Sequence, residues 1–549
     1  MFPVLAVYIF VRCIIPLLQE KKNSTVWGYL YMGGTKIPLE HWENSLGRSK
    51  LSDIVINLPF VSKNHAVLAF RRGTWTVTDL NSKNGVEVNG VRIEKQQAVK
   101  HGDTISLGGL KTVLLLPGGE PGGKPVKIGT GKNILTAAYF NPGITFFLVL
   151  LFQILGCIQV CLSMGAEIIP AVPLTFFLFI LAQSTHFIFL RWRSRKYLEL
   201  ELLCYFLCGI SLLVLASTAP GFLFIQLTAV LMGMAVYNIL NVLLRDLERA
   251  KILRYLLVGS ALVLLALTLI LGETRFGATR WINLGFISFQ PSEFIKVAFI
   301  MAGTATLDRL LTTRNMTGFI LFTGSCIGAL IFMRDFGTLA VFFGTFIVIA
   351  FMRSGDIRTA VLTTSGGLLG TVTVISFMPY IASRFAAWGN VWEYADTIGY
   401  QQTRTLIAAA SGGFLGVGGG NGHLAGVAAA DTDLVFGVLC EEWGLLVALT
   451  VVLIIVFLAF FAVFLTRNCL SSFYAIAACG AGTMFLIQAA LSVLGSVDIL
   501  PLTGVTIPFI SRGGSSMVAS WALLAFIKSA DDRRRPSKRI IYAKKRRAV

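Results

Sequence analysis

Apolar and polar positions follow two different textures along this chain. Between residues 25 and 117, short alternating runs such as Trp75-Thr-Val-Thr and Val86-Glu-Val-Asn are separated by turn pairs. These lie at Arg72-Gly73, Asn84-Gly85, Asn89-Gly90 and His101-Gly102-Asp103. Alternation at period two with turns this frequent predicts a small antiparallel β-sandwich. From about residue 143 the alternation stops. Apolar segments follow at 143–163, 168–190, 197–218, 220–244, 252–272, 291–310, 317–333, 335–353, 358–382, 433–466, 471–494 and 512–530. Counted with an apolar run at 3–18, they predict roughly thirteen membrane crossings.

No basic residue precedes the run at 3–18, and Glu20-Lys21-Lys22 follows it. A signal peptide has positive charge before its apolar run, so residues 1–20 read as a retained anchor helix. Pro117-Gly-Gly-Glu-Pro-Gly-Gly-Lys124 opens a flexible linker over 118–142. The predicted order is then anchor, sandwich (25–117), linker, two helices (143–190), a helical core (197–530) and a basic tail (531–549).

Composition supports lipid as the main solvent: 55% of residues are hydrophobic and 14% charged, with a mean hydropathy of +0.74. A net charge of +19 would suit nucleic acid. The cations instead gather between apolar segments and in Lys528–Arg547, which reads as positive-inside topology and attraction to anionic lipid. No nucleic-acid partner is expected. With alternating crossings, Arg191–Lys196, Arg245–Arg254, Arg309–Arg314, Arg353–Arg358 and the tail share one side, assigned as cytoplasmic together with the sandwich. Loops 273–290, 383–432 and 495–511 then face outward. The nine cysteines form no CxxC pair, and the five histidines are scattered, so neither a disulfide framework nor a protein metal cage is expected.

Four blocks carry candidate chemistry. The first runs from Gly277-Ala-Thr-Arg280-Trp281 to Gln290-Pro291-Ser292-Glu293-Phe-Ile-Lys296. Pro291 suits a first helical turn, Ser292 can cap it, and Glu293 and Lys296 share a helix face at i,i+3. Intramembrane charges are costly and mark sites, although a purely structural ion pair is the alternative. The second block is the long loop with Trp392-Glu393-Tyr-Ala-Asp396, Gly399-Tyr400-Gln401 and a glycine run from Gly412 to Gly422. A loop this long among tight turns is usually functional. The third is Asp431-Thr-Asp433 leading to Glu441-Glu442-Trp443-Gly444. The fourth, Pro501 to Ser516, is a broken, hydroxyl-rich lead-in to the last helix, whose backbone amides could bind an anion.

Gly47-Arg48, Val61-Ser62-Lys-Asn-His65 and Asp79-Leu-Asn-Ser82-Lys-Asn84-Gly85 together resemble a forkhead-associated (FHA) domain. The resemblance implies a phosphothreonine-binding loop cluster. In it Arg48 grips the phosphate, Ser62 adds a hydroxyl, and Lys63 or Asn64 assists. Ser82, Lys83 and Asn84 would hold the bound peptide's backbone, and His65 would brace the loops. A sandwich kept for docking, with a lapsed phosphate site, is the alternative.

The four membrane blocks, in this order, resemble the SEDS family (shape, elongation, division and sporulation) of the FtsW and RodA type. That implies a polytopic α-helical membrane protein with a ten-helix core over 197–530, preceded here by the additional helices and the FHA sandwich. It also implies a bacterial cell-membrane peptidoglycan glycosyltransferase that polymerises lipid II on the outer face, with a class B penicillin-binding protein as crosslinking partner. A phosphothreonine protein from a Ser/Thr kinase pathway would engage the sandwich. Asp396 is then the general base, since the family places an essential aspartate just before Gly-Tyr-Gln. The family's Asn-Pro-Trp-x-Asp reads here Asn390-Val-Trp-Glu-Tyr-Ala-Asp, with the acid two residues later, so Glu393 is held in reserve. Glu293 and Lys296 match the family's paired charges. Arg280, Gln401, Arg404 and Ser515 complete the expected substrate-binding set. Two departures add cations, Arg334 in Met333-Arg-Asp335-Phe-Gly-Thr338 and Arg512 before Gly513-Gly-Ser515-Ser516. Magnesium or manganese could bridge pyrophosphate and carboxylate, though no ligand cluster demands it. A lipid-precursor transporter and a non-catalytic, phospho-dependent division scaffold remain as competing readings. The role, whether division, elongation or sporulation, stays open.

Overall fold

The computed structural model describes residues 1–18, 25–39, 41–49, 52–71, 74–116, 126–127, 141–164, 170–193, 197–275, 278–283, 288–305, 313–377, 387–466 and 471–531. Most of the expected linker, the tail beyond Asp531, the Arg72-Gly73 turn and parts of the basic loops lie outside these residues.

The alternating region forms the expected sandwich. The strands β2 (Gly28–Met32), β3 (Thr35–Leu39), β8 (Val86–Val88), β9 (Val91–Arg92), β11 (Thr104–Leu107) and β12 (Leu110–Leu115) build one sheet, in the order β3-β2-β12-β11-β8-β9. The other sheet has the order β10-β7-β6-β4-β5, from β4 (Glu43–Gly47), β5 (Ile54–Val55), β6 (Ala66–Arg71), β7 (Thr74–Asp79) and β10 (Gln96–Val99). A short β1 (Thr25–Val26) pairs with β13 (Val126–Lys127). Trp75 and Val77 point inward from β7 and meet Leu30, Ile105 and Leu114 of the facing sheet. Each such burial contributes about 1.5–3 kcal/mol. Asn89 (φ 53°) and Gly90 (φ 83°) make the tight turn that joins β8 to β9.

Eight helices among the described residues are long and apolar enough to cross a membrane. They are α2 (Pro142–Ser163), α3 (Ala171–Trp192), α4 (Glu199–Thr218), α5 (Leu223–Leu243, extended by a turn from Pro220), α6 (Leu247–Leu271, from Arg249), α9 (Phe336–Ser354), α13 (Leu445–Leu465) and α14 (Ser472–Ser496). Packed with them are α1 (Phe2–Leu18), α7 (Pro291–Gly303), α8 (Thr313–Phe332), α10 (Ile357–Phe377) and α15 (Gly514–Ala530). Helix α4 is the axle: 94% of its apolar stretch is buried in the protein, against 17% for α6. A helix apolar on every face must be sunk in protein or bathed in lipid, and here both solutions occur.

Helices α1, α2 and α3 are built into this bundle. In α1, Phe10 meets Phe457 at 6.3 Å between ring centres and Arg12 donates to Thr145 at 3.2 Å. Gln153 of α2 pairs with Gln183 of α3, and His186 of α3 bonds Tyr205 at 2.6 Å and Asn238 at 2.8 Å. Lys528 of α15 lies 2.8 Å from Glu201 of α4, both fully buried. The sandwich touches the bundle where Ser472 shares its hydroxyl between Glu43 and the Ala305 carbonyl, each at 3.2 Å.

Three sequence expectations need correction. Residues 273–290, read as a loop, hold a small sheet of β14 (Glu273–Arg275), β15 (Ala278–Asn283) and β16 (Ser288–Phe289). The long loop is largely structured, with α11 (Tyr400–Gly412) at its centre. The segment 433–466 is broken: α12 (Val435–Val438) passes into a π-turn, Leu439–Trp443, and Gly444 (φ 86°) then redirects the chain into α13. At the break the Glu441 and Glu442 carbonyls accept the Val417 and Gly418 amides at 2.9 and 3.0 Å, bonds to another segment in place of the regular helical ladder.

Candidate functional site

Two sites emerge, one on the sandwich and one at the bundle end where the loops gather. On the sandwich, β4 delivers Gly47 against the loop that follows β5. A Cβ on Gly47 would sit 2.2 Å from the Lys63 carbonyl, so only glycine lets the two loops touch. The contact is sealed by backbone bonds from Arg48 to Ser62 (2.9 Å) and from Ser49 to Lys63 (3.0 Å). Ser62 Oγ accepts the Lys83 amide at 2.9 Å, which leaves its own proton free to donate outward. His65 is the expected brace: fully buried, it accepts the Ser62 amide at 3.0 Å and reaches the Gly85 carbonyl at 3.1 Å. Asn84 donates to the Phe60 carbonyl at 2.7 Å, and Asp79 holds the Ser82 amide at 3.0 Å. Arg48, Lys63, Asn64, Lys83 and Asn84 are exposed, with Ser62 and Ser82 partly so, and all sit on these joined loops. The arrangement is a rim of cations and hydroxyls on a rigid scaffold, suited to a phosphate with peptide on either side.

At the loop end, α7 begins at Pro291 and buries the charge pair within its first two turns. Lys296 Nζ donates to Glu293 Oε1 at 2.7 Å, with Glu293 4% and Lys296 1% exposed. Ser292 does not cap the helix; its hydroxyl accepts from the Gln290 side chain at 3.1 Å. On an adjacent face, Phe294 and Val297 line an apolar groove of about 120 Å³ closed by Val236 of α5, Leu257 of α6 and Val518 and Ala522 of α15. Its lining is almost wholly apolar, the chemistry of a surface that meets hydrocarbon.

Three loops interlock above α7. Thr279 of β15 donates to the Met333 carbonyl at 2.9 Å, and Arg280 lies 3.6 Å from Asp335, whose other oxygen is buried without a partner. Gly504 brings in the last loop: a Cβ there would lie 3.2 Å from Asp433 Oδ2 and 3.8 Å from Arg280 Nη2. Arg512 pairs with Asp431 at 2.8 Å and stacks on Phe222 at 4.1 Å. Its position beside the last helix is thus explained as a clasp between loops. Ser511 adds a bond to the Thr432 carbonyl at 2.6 Å. The amide of Gly513, expected to be open to an anion, goes to Gln226 at 3.3 Å. Asp335, Asp431 and Asp433 are the acids that sequence reasoning left without a role. Their signal was weak, since each needs a partner from a distant loop.

The remaining candidates are accounted for as follows. Trp388 and Gly389 fasten the segment before the candidate base to Ile499 (3.0 Å) and Asp498 (3.1 Å). Residues 390–399 then coil into successive turns, with Glu393 and Asp396 both exposed. Among the described residues neither carboxylate makes a hydrogen bond or ion pair, and neither is brought against Glu293 or Lys296. Gln401 donates to the Ala428 carbonyl at 3.0 Å, and Arg404 is exposed over its helix neighbour Tyr400 at 5.1 Å. Ser515 is half-buried in the first turn of α15. No group of three or more His, Cys, Asp or Glu side chains that could hold a metal ion forms among the described residues.

The chain is similar to known proteins over both regions. The FHA domain profile matches residues 44–108. A curated relative, the probable peptidoglycan glycosyltransferase FtsW of Buchnera aphidicola, is 32% identical over 283 residues, covering 49% of this chain and 70% of that protein. The protein of the same description from Tolumonas auensis is 31% identical over 350 residues, or 61% of this chain and 91% of the relative. A solved chain from a peptidoglycan synthase complex, described as coordinating polymerization and crosslinking, superposes with a TM-score of 0.50 at 25% identity, covering 61% of this chain and 97% of that one. The FtsW, RodA and SpoVE cell cycle protein profile matches residues 199–536, α4 through α15, and the chain therefore belongs to that family, with an FHA domain ahead of it.

Proposed function

We propose that this protein is a peptidoglycan glycosyltransferase of the bacterial cell membrane, polymerising lipid II with its loop end outside and its sandwich in the cytoplasm. The observation that carries the reading is the buried Glu293–Lys296 pair, set beside an apolar groove and roofed by interlocked polar loops. The groove suits the polyprenyl chains, while the loops suit the sugars. An acceptor sugar hydroxyl attacks the donor's anomeric carbon, its proton passes to a carboxylate, and the bond to the polyprenyl pyrophosphate breaks with inversion.

Commitment of the acids supports Asp396, with Glu393 in reserve, as the base. Asp335 faces Arg280, Asp431 is held by Arg512, Glu293 by Lys296, and Glu441 by two backbone amides. Asp396 and Glu393 hold no partner among the described residues and can accept a proton. In this reading Lys296 and Arg280 shape the field of the site, and Arg404 and Ser515 meet the pyrophosphate. Gln401 orients the loop through Ala428. The sandwich binds a phosphothreonine protein from a Ser/Thr kinase pathway through Arg48, Ser62, Lys63, Asn64, Ser82, Lys83 and Asn84. A class B penicillin-binding protein crosslinks the product. The exposure of both candidate bases favours one other reading, a phospho-dependent scaffold without catalysis.

The test is polymerisation of labelled lipid II by the purified full chain, as wild type, Asp396→Asn, Glu393→Gln and Arg48→Ala. Polymer from wild type and Arg48→Ala, and none from Asp396→Asn, is expected. Normal polymer from Asp396→Asn with none from Glu393→Gln moves the base to the reserve residue. No polymer from any form, even with the partner, supports the scaffold, and passage of intact lipid across liposomes supports transport.

A further inference from the structure

Helices α1 and α2 precede the family-matched region, yet α2 reaches the glycine-rich strap that connects the two halves of the long loop, and α1 reaches the Trp443 ring beside it. The strap, Gly413–Leu424, joins α11, which carries Gln401 and Arg404, to the Asp431–Asp433 turn. One edge is held by the π-turn. Glu441 accepts the amides of His423 and Leu424, each at 2.9 Å, and its carbonyl accepts Val417 at 2.9 Å. The Glu442 carbonyl accepts Gly418 at 3.0 Å.

The opposite edge is held by residues outside the family core. Ser163, the last residue of α2, donates to the Gly419 carbonyl at 2.6 Å, the shorter of two bonds its hydroxyl shares with the Val160 carbonyl of its own helix at 3.0 Å. A Cβ on Gly420 would lie 2.2 Å from Ser163 Oγ, and one on Gly418 would lie 2.9 Å from Gln159 Nε2. A Cβ on Gly419 would meet the Trp443 ring at 2.7 Å and Val160 at 3.1 Å. That ring packs against Phe2 at the tip of α1 (5.0 Å) and Phe152 of α2 (6.3 Å). The strap is thus gripped between the π-turn and the ends of two helices, with no room for a side chain between them.

We propose that α1 and α2 are working parts of the transferase, and that Ser163 is a positioning residue that sets the glycine strap, and through it α11 and the Asp431–Asp433 turn. This rests on the transferase reading above. A helix pair that only thickened the bundle would need neither a hydroxyl aimed at a strap carbonyl nor an aromatic stack ending on Trp443. Gln159 crowds Gly418, and Phe2 backs the Trp443 ring that crowds Gly419.

The full chain is compared as wild type, Ser163→Ala, Ser163→Thr, Gly419→Ala and, as control, Ile158→Ala on the exposed face of α2. Three readouts are taken: lipid II polymerisation with kcat and KM separated, hydrogen exchange over 413–424, and the unfolding midpoint. Ser163→Ala is expected to lower kcat about five-fold, the factor typical of one lost hydrogen bond. KM and the midpoint should hold while exchange over the strap rises. Gly419→Ala should also lower kcat and raise exchange over the strap, with a lower midpoint because its Cβ overpacks the Trp443 ring; Ser163→Thr, which keeps the hydroxyl, and Ile158→Ala should match wild type. Unchanged kcat and exchange in Ser163→Ala overturn the proposal, as does an equal kcat loss in Ile158→Ala. If wild type makes no polymer the transferase reading fails, and the strap is then judged by exchange alone: equal protection in wild type and Ser163→Ala overturns it, and selective loss in Ser163→Ala supports it.

Discussion

In the sandwich, the bonds that assemble the phosphate rim join near neighbours: His65 to Gly85 is a separation of 20 residues, Lys83 to Ser62 one of 21, and Asn84 to Phe60 one of 24. In the bundle, the bonds that assemble the loop end join Ser511 to Thr432 across 79 residues, Trp388 to Ile499 across 111 and Ser163 to Gly419 across 256. The first site can form as soon as one small β domain folds. The second exists only after every helix has taken its place. Damage should therefore stay local in the sandwich and spread in the bundle.

The largest break expected of that contrast is Lys296→Met, which strands the Glu293 carboxylate in a buried setting and costs about 3–5 kcal/mol. Thermal unfolding of the full chain in detergent should show the bundle transition moving down sharply while the sandwich keeps its phosphopeptide affinity. Glu293→Gln combined with Lys296→Met should recover most of the lost stability without recovering polymer; recovery of polymer as well would make the pair purely structural.

Gly47→Ala is the matching insult to the sandwich. Its new Cβ meets the Lys63 carbonyl at 2.2 Å, and overpacking of this kind costs about 1–3 kcal/mol. Titration with a phosphothreonine peptide should show binding lost, with lipid II polymerisation untouched. A fall in polymerisation would show that the two regions are coupled through the Ser472–Glu43 contact.

Arg512→Ala removes a partly exposed clasp and should cost about 1 kcal/mol or less. Hydrogen exchange should rise over 428–434 and stay level elsewhere, and polymer yield should drop by less than it does in Lys296→Met.

The smallest effect is a pH dependence at the π-turn. Glu442 precedes the crossing that begins at Leu445, and burial pushes its carboxyl up to about 7, with the Ser217 hydroxyl and the Gly420 and Gly422 amides pulling the other way. A raised carboxyl favours the protonated fold. Its contribution is therefore complete below the ordinary carboxylate range and lost as pH rises through about 7. Strap protection, followed by hydrogen exchange, should weaken across that interval in wild type and stay flat in Glu442→Gln.

The phosphate rim could be read from the chain because its residues sit in turns whose geometry glycine, asparagine and serine dictate locally. Gly47-Arg48, Ser62 to His65 and Ser82 to Gly85 each carry their own turn chemistry. The Glu293–Lys296 pair was equally legible, since i,i+3 spacing after a proline is a property of one helix. The partners of Asp335, Asp431 and Arg512 were hidden. Each is a lone charge in its own segment, and nothing within a few residues reports what a distant loop brings to it.

By itself the sequence determined the sandwich and most of the helices, though not α11, the β14–β16 sheet or the break at Gly444, because burial periodicity and turn residues act over a few positions. It also determined that lipid would be the main solvent. Only the tertiary structure decided that α4 lies inside the protein while α6, just as apolar, faces out, because hydrophobicity records the avoidance of water and not what replaces it. For the same reason only the assembled chain showed that Ser163 ends against a glycine strap more than two hundred residues away, and Phe2 against the Trp443 ring behind it.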